Sequence, residues 1–96
     1  MSDKKAVEVR VIGRVHGVGF RSTTHQKATK LGLTGFVRNA GVNEVEIYAE
    51  GDEDKLQEFI DYIESFPSSA QVEETSIDWK EYSGSFPRFM IKYKQD

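Results

Sequence analysis

Cysteine is absent from the 96-residue chain, which excludes a disulfide framework and every Cys-ligated zinc or iron–sulfur centre. No apolar run approaches the ~18 residues of a membrane span, and the opening Met1-Ser2-Asp3-Lys4-Lys5-Ala6 lacks the apolar core of a secretion signal. Neither G-x-x-x-x-G-K-[ST] nor G-x-G-x-x-G occurs, so a P-loop or dinucleotide-binding fold is not supported. Repeats, linkers and low-complexity stretches are missing as well. The expectation is one domain over residues 1–96, cytoplasmic and without a membrane partner.

Acid is missing too, but only locally. The net charge is −3, yet residues 1–48 hold 8 Lys/Arg against 4 Asp/Glu, and residues 49–96 hold 5 against 12. Between Val9 and Arg38 stand Arg10, Arg14, Arg21, Lys27, Lys30 and Arg38 without a single carboxylate. An overall acidic chain is a poor candidate for sequence-independent nucleic-acid binding, so no nucleic-acid partner is expected. An acid-free window inside such a chain points to a local anion site. What the chain does contain is 38% hydrophobic residues, with 6 Phe, 4 Tyr and 1 Trp. That is enough for one packed core and excludes a disordered chain.

Ala6 to Ile12 alternates, with Val7, Val9 and Val11 on one face, and reads as a half-buried strand. The glycine-rich run Gly13 to Phe20 reads as a loop. Ser22 to Leu31 has no helix breaker, opens on the capping residues Ser22 and Thr23, and stops at Gly32, so a helix is expected there with a thin stripe of Thr24, Ala28 and Leu31. Gly35 to Arg38 predicts a short strand, Ala40 to Asn43 a turn, and Glu44 to Glu50 a second alternating strand. Leu56, Phe59, Ile60 and Ile63 recur at helical spacing behind the acidic start Asp52-Glu53-Asp54, and Phe66 to Ser69 ends that helix. Ser76 to Tyr82 and Arg88 to Tyr93 alternate again, with Ile77, Trp79, Phe89, Ile91 and Tyr93 expected to face inward. His25 reads as an exposed helix residue.

This order predicts an α+β fold, a two-layer ferredoxin-like sandwich (βαββαβ) with an antiparallel sheet and two helices on one face. In that topology the first two strands run parallel with the third between them. Their C-terminal ends share one edge of the sheet, which brings the glycine-rich loop close to Asn39.

A glycine-rich loop running into a helix start leaves several backbone N–H groups uncovered, and the helix adds its own unpaired donors. Arg21 stands at that junction, and its planar guanidinium can hold two phosphate oxygens at once. Loop, helix end and Arg together suit a phosphoryl-sized dianion. Gly13-Arg14-Val15-His16-Gly17-Val18-Gly19-Phe20-Arg21 resembles the G-x-V-x-G-V-x-F-R loop of the acylphosphatase family. Leu31 to Asn39 (LGLTGFVRN) resembles the family's second run, L-G-L-x-G-[WF]-V-x-N. Val45-Glu46, Ala49-Glu50-Gly51, Pro67, Ala70, Val72, Phe89 and Ile91 also fall where the family has similar residues, so the resemblance spans about Val7 to Tyr93. His16 stands where the family usually carries Gln.

The resemblance implies hydrolysis of acyl phosphates to a carboxylate and phosphate. It assigns the phosphoryl group to Arg21 and the backbone amides of His16, Gly17, Val18, Gly19, Phe20 and Arg21, and the attacking water to Asn39. It also implies a small-molecule acyl phosphate substrate, no cofactor, no metal, and a monomer whose site accepts phosphate or sulfate. Chemistry agrees from its own side. Asn orients water but does not deprotonate it, and no obvious acid lies in the window. A carboxylate leaves unprotonated whereas an alkoxide does not, so a site this sparse favours mixed anhydrides over ordinary monoesters. The alternative is a non-catalytic ferredoxin-like module that binds phosphate or RNA. An RNA-binding module needs exposed aromatics on its central strands, and there the chain offers Tyr48 alone.

Overall fold

The computed structural model describes residues 3–14, 19–65 and 71–92. They form β1 (Lys4–Arg14), α1 (Phe20–Lys30), β2 (Thr34–Gly41), β3 (Glu44–Asp52), α2 (Glu53–Glu64), β4 (Gln71–Glu81) and β5 (Phe89–Lys92). The expected element order is present, and the sheet order is β4-β1-β3-β2-β5. Strand β3 runs antiparallel to both β1 and β2, so those two are parallel to each other with β3 between them. Strand β5 adds a parallel pair to β2 and makes the sheet mixed where an antiparallel one was expected. No helix among the described residues is long and apolar enough to cross a membrane.

Alternation in the strands decides the layering. Val7, Val9, Val11, Val37, Val45, Ile47 and Ala49 share one face and are fully buried. Helix α2 lies over β1 and β3, and α1 lies over β2 and β5. All four apolar positions of the α2 stripe are buried as their spacing predicts. Phe59 meets Phe89 edge-on at 6.1 Å and joins α2 to β5.

Helix α1 differs from expectation at its start. It begins at Phe20, two residues before Ser22, its N-cap is Gly19 in the left-handed conformation (φ 75), and no side chain caps it. The reason is tertiary. Phe20 is 1% exposed and completes a stripe of Phe20, Thr24 and Ala28 at successive i+4 positions. Burial of that ring selects the first turn, and Ser22 and Thr23 fall inside it. At the other end the Gly32 N–H bonds to Thr29 O (3.0 Å) and the Leu33 N–H to Ala28 O (2.9 Å). This Schellman pattern uses the positive φ of Gly32 to satisfy the last carbonyls, as the sequence predicts.

Three other expectations change. Strand β2 continues to Gly41, with Ala40 bulged between the pairs Asn39–Val45 and Gly41–Glu44, so the turn shrinks from Ala40–Asn43 to Val42-Asn43. Trp79 is 41% exposed because β4 is an edge strand beside the helix layer. His25 is half-buried rather than exposed, with Nε2 3.1 Å from the Phe89 carbonyl oxygen. Phe89 is buried and Ile91 packs against the core, whereas Tyr93 and the Phe66–Ser69 helix stop lie outside the described residues.

Among the described residues no helix lies on the other face of the sheet. There the segment 82–88 crosses the end of the sheet and docks on the buried Glu50. The Glu50 carboxylate accepts hydrogen bonds from Tyr48 Oη (2.6 Å), Ser83 N (2.9 Å), Ser83 Oγ (2.6 Å) and Gly84 N (3.0 Å). Phe86 packs against Tyr48 at 5.2 Å between ring centroids.

Candidate active site

Two lengths bring the site together. Helix α1 has 11 residues, a rise of roughly 16 Å. Strand β2 covers a similar roughly 16 Å between Thr34 and Asn39. Because α1 leads directly into β2 through the turn at Gly32, the strand climbs back to the level at which the helix began. Asn39 therefore returns to the N-terminal end of α1, on the sheet edge where β1 also ends.

Side-chain direction completes the placement. Asn39 has the same parity as Val37, whose side chain is buried beneath the helices, so Asn39 points to the helix side of the sheet. Arg21 is the second residue of α1, half-buried and within the first turn. A backbone bond from Gly13 N to Asn43 O (2.8 Å) ties the end of β1 to the hairpin that follows Asn39. The topology thus brings Arg21, Gly19, Phe20 and Asn39 to one edge. His16, Gly17 and Val18 lie outside the described residues.

The chemistry of that edge is distinctive. The first amides of α1 have no intrahelical acceptor, and its N-cap, Gly19, has no side chain to offer them. The first turn carries no acidic residue. Asn39 Oδ1 is buried and has no hydrogen-bond partner among the described residues. A buried acceptor of this kind is costly unless something donates to it. No three His, Asp or Glu side chains converge to hold a metal ion among the described residues.

Phe20 has a side-chain role beyond the amide assigned to it, since its ring sets where the helix starts and hence where Arg21 stands. The signal was available in the i, i+4, i+8 spacing of Phe20, Thr24 and Ala28. A second feature, on the reverse face, escaped sequence reasoning. Glu46 lies opposite Arg10 of β1 and opposite Arg38 of β2. Its carboxylate accepts from Arg38 Nε at 2.7 Å and pairs with Arg10 at 3.6 Å, and Arg10 also pairs with Glu44. Burial pushes the Glu46 carboxyl up, but hydrogen bonds from Arg38 and Glu8, with the charges of Arg38 and Arg10, outweigh it and hold it below the usual carboxylate range. Only the register reveals these partners.

The family model for acylphosphatase matches residues 7–91. The acylphosphatase of Caldanaerobacter subterraneus subsp. tengcongensis is 42% identical over 88 residues, covering 92% of this chain and 98% of that protein. The acylphosphatase of Salinibacter ruber is 38% identical over 89 residues, covering 93% of this chain and 94% of that protein. Among solved structures, acylphosphatase from Bacillus subtilis superimposes with a TM-score of 0.87 at 35% identity, covering 93% of this chain and 99% of that one. Sequence and fold agree along nearly the whole length, and this chain belongs to the acylphosphatase family.

Proposed function

We propose that the chain hydrolyses the carboxyl–phosphate bond of acyl phosphates, with Arg21 holding the phosphoryl group and Asn39 placing the attacking water. One observation supports the reading: the topology carries the start of α1, with Arg21, and the end of β2, with Asn39, to the same edge of the sheet. The guanidinium takes two equatorial oxygens, and the amides of Gly19, Phe20 and Arg21, with those of His16 to Val18, stabilise their charge. Water donates one hydrogen to Asn39 Oδ1 and attacks phosphorus in line. Its other proton passes to a phosphoryl oxygen. The bond from phosphorus to the bridging oxygen breaks, and its electron pair leaves with the carboxylate. No covalent enzyme intermediate forms, and positioning and charge stabilisation supply the rate.

The alternative of an RNA-binding sheet finds less support. Phe36 and Tyr48 do lie together on the helix-free face, 5.9 Å apart. Phe86 covers them at 6.0 and 5.2 Å, which leaves no open stacking platform.

The test is hydrolysis of an aromatic acyl phosphate in excess EDTA. The purified chain is expected to release phosphate from it while leaving an alkyl phosphate monoester almost untouched. Absence of turnover, or turnover lost with the chelator, would refute the proposal.

A further inference from the structure

We propose that Glu46 is a positioning residue for the reaction: it braces the strand that carries Asn39 to the strand that feeds the phosphate loop. The inference rests on the role given to Asn39 above. Asn39 is the last regularly paired residue of β2, since the ladder skips Ala40 before resuming at Gly41–Glu44. A bulge loosens the ladder and increases local twist, so the orientation of Asn39 is held from one side only. On that side stands the directly adjacent pair Arg38–Glu46.

Glu46 also lies opposite Arg10 in the neighbouring strand. One carboxylate of β3 thus joins β1, which leads into the phosphate loop, and β2, which presents Asn39. The exposures of its side chain and that of Arg38 are 8% and 26%, against 47% for Arg10. Nε and Nη2 of Arg38 both converge on Glu46 Oε1, and a shielded two-point contact of this kind is more directional than an exposed ion pair. Glu46 itself faces away from the substrate, on the helix-free side. Its contribution reaches the chemistry through the peptide between Arg38 and Asn39.

Glu50 supplies an internal control. It lies on the same strand and face, about 13 Å further along, and its buried carboxylate holds the 82–84 segment at the end of the sheet remote from Asn39. Two buried carboxylates of one strand therefore separate positioning from general stability.

The experiment compares Glu46→Gln, Arg38→Gln, their double variant, Asn39→Ala, Asn39→Ala/Glu46→Gln and Glu50→Gln. Measured are kcat, KM, inhibition by inorganic phosphate, and Tm. Each single change in the brace is expected to lower kcat about tenfold, because a misplaced reacting group loses rate steeply with distance. KM and phosphate inhibition should stay within about twofold, and the double variant should lose no more than either single one. Glu50→Gln should lower Tm at unchanged kcat. In the Asn39→Ala background, Glu46→Gln should cost nothing further. Wild-type kcat in both Glu46→Gln and Arg38→Gln overturns the brace, as does a full additional loss on top of Asn39→Ala. Wild-type kcat in Asn39→Ala instead overturns the reading of the site.

Discussion

Arg21 and Asn39 reach one edge of the sheet by different routes, and their substitutions should separate accordingly. Arg21→Lys keeps the charge but loses the planar two-point grip. Turnover should fall ~100- to 1000-fold, the usual effect of losing one charge-stabilising donor, with weaker phosphate inhibition; a rate near wild type would mean that the cradle lies elsewhere. A different residue tests burial without chemistry. Thr24 is fully buried, and its hydroxyl has no partner among the described residues. Thr24→Val replaces that hydroxyl with a methyl group of similar size, so urea unfolding should show a gain of about 1 kcal/mol at unchanged activity. Lower stability would show that the hydroxyl has a donor or acceptor in the folded chain.

At the scale of elements, α1 shows how a weak local signal becomes a fixed structure. Its apolar stripe is thin, and its start is set by the Phe20 ring in the core rather than by a capping side chain. Phe20→Ala should cost about 3–5 kcal/mol in denaturant unfolding, in the range for deleting a buried aromatic. The first turn would fray with it, so phosphate inhibition should weaken as well. Intact inhibition in that variant would uncouple the helix start from the cradle. Helix α2 needs no such anchor, because Leu56, Phe59, Ile60 and Ile63 bury a full stripe along the sheet. Its prediction from spacing succeeded for that reason. The sequence pattern understates strand β2, because a bulge has no periodicity of its own and Ala40 gives no local sign of one.

For the molecule as a whole, the segment 82–88 closes the remote end of the sheet through Glu50. Burial pushes that carboxyl up, but the bonds from Ser83, Tyr48 and Gly84 outweigh it and leave it below its ordinary value of 4.5. A carboxyl held low in the folded state binds fewer protons there than in the unfolded chain. Its stabilisation is therefore fully present above about pH 4.5 and is lost as pH falls through the folded value. Between pH 6 and pH 3 the Tm of the wild type should drop further than that of Glu50→Gln, and parallel curves would refute the latch. Glu50 also shows the limit of pattern reading. Alternation assigns it to the outer face of β3, where it would be solvated unless the chain between β4 and β5 returned to cover it.

The order of elements, the helix-facing residues of the central strands and the family are legible from the residues alone, because these depend on spacing within short segments. Two local runs mark Arg21 and Asn39 as well. Register, bulge and coverage were decided by the tertiary structure. The pairing of Glu46 with both Arg10 and Arg38, the burial of Glu50 and the exposure of Trp79 each depend on chain 8 to 72 residues away. The physical reason is common to all three. A side chain's face follows from its own strand, but its partner and its shelter are set by strands and segments that pack beside it.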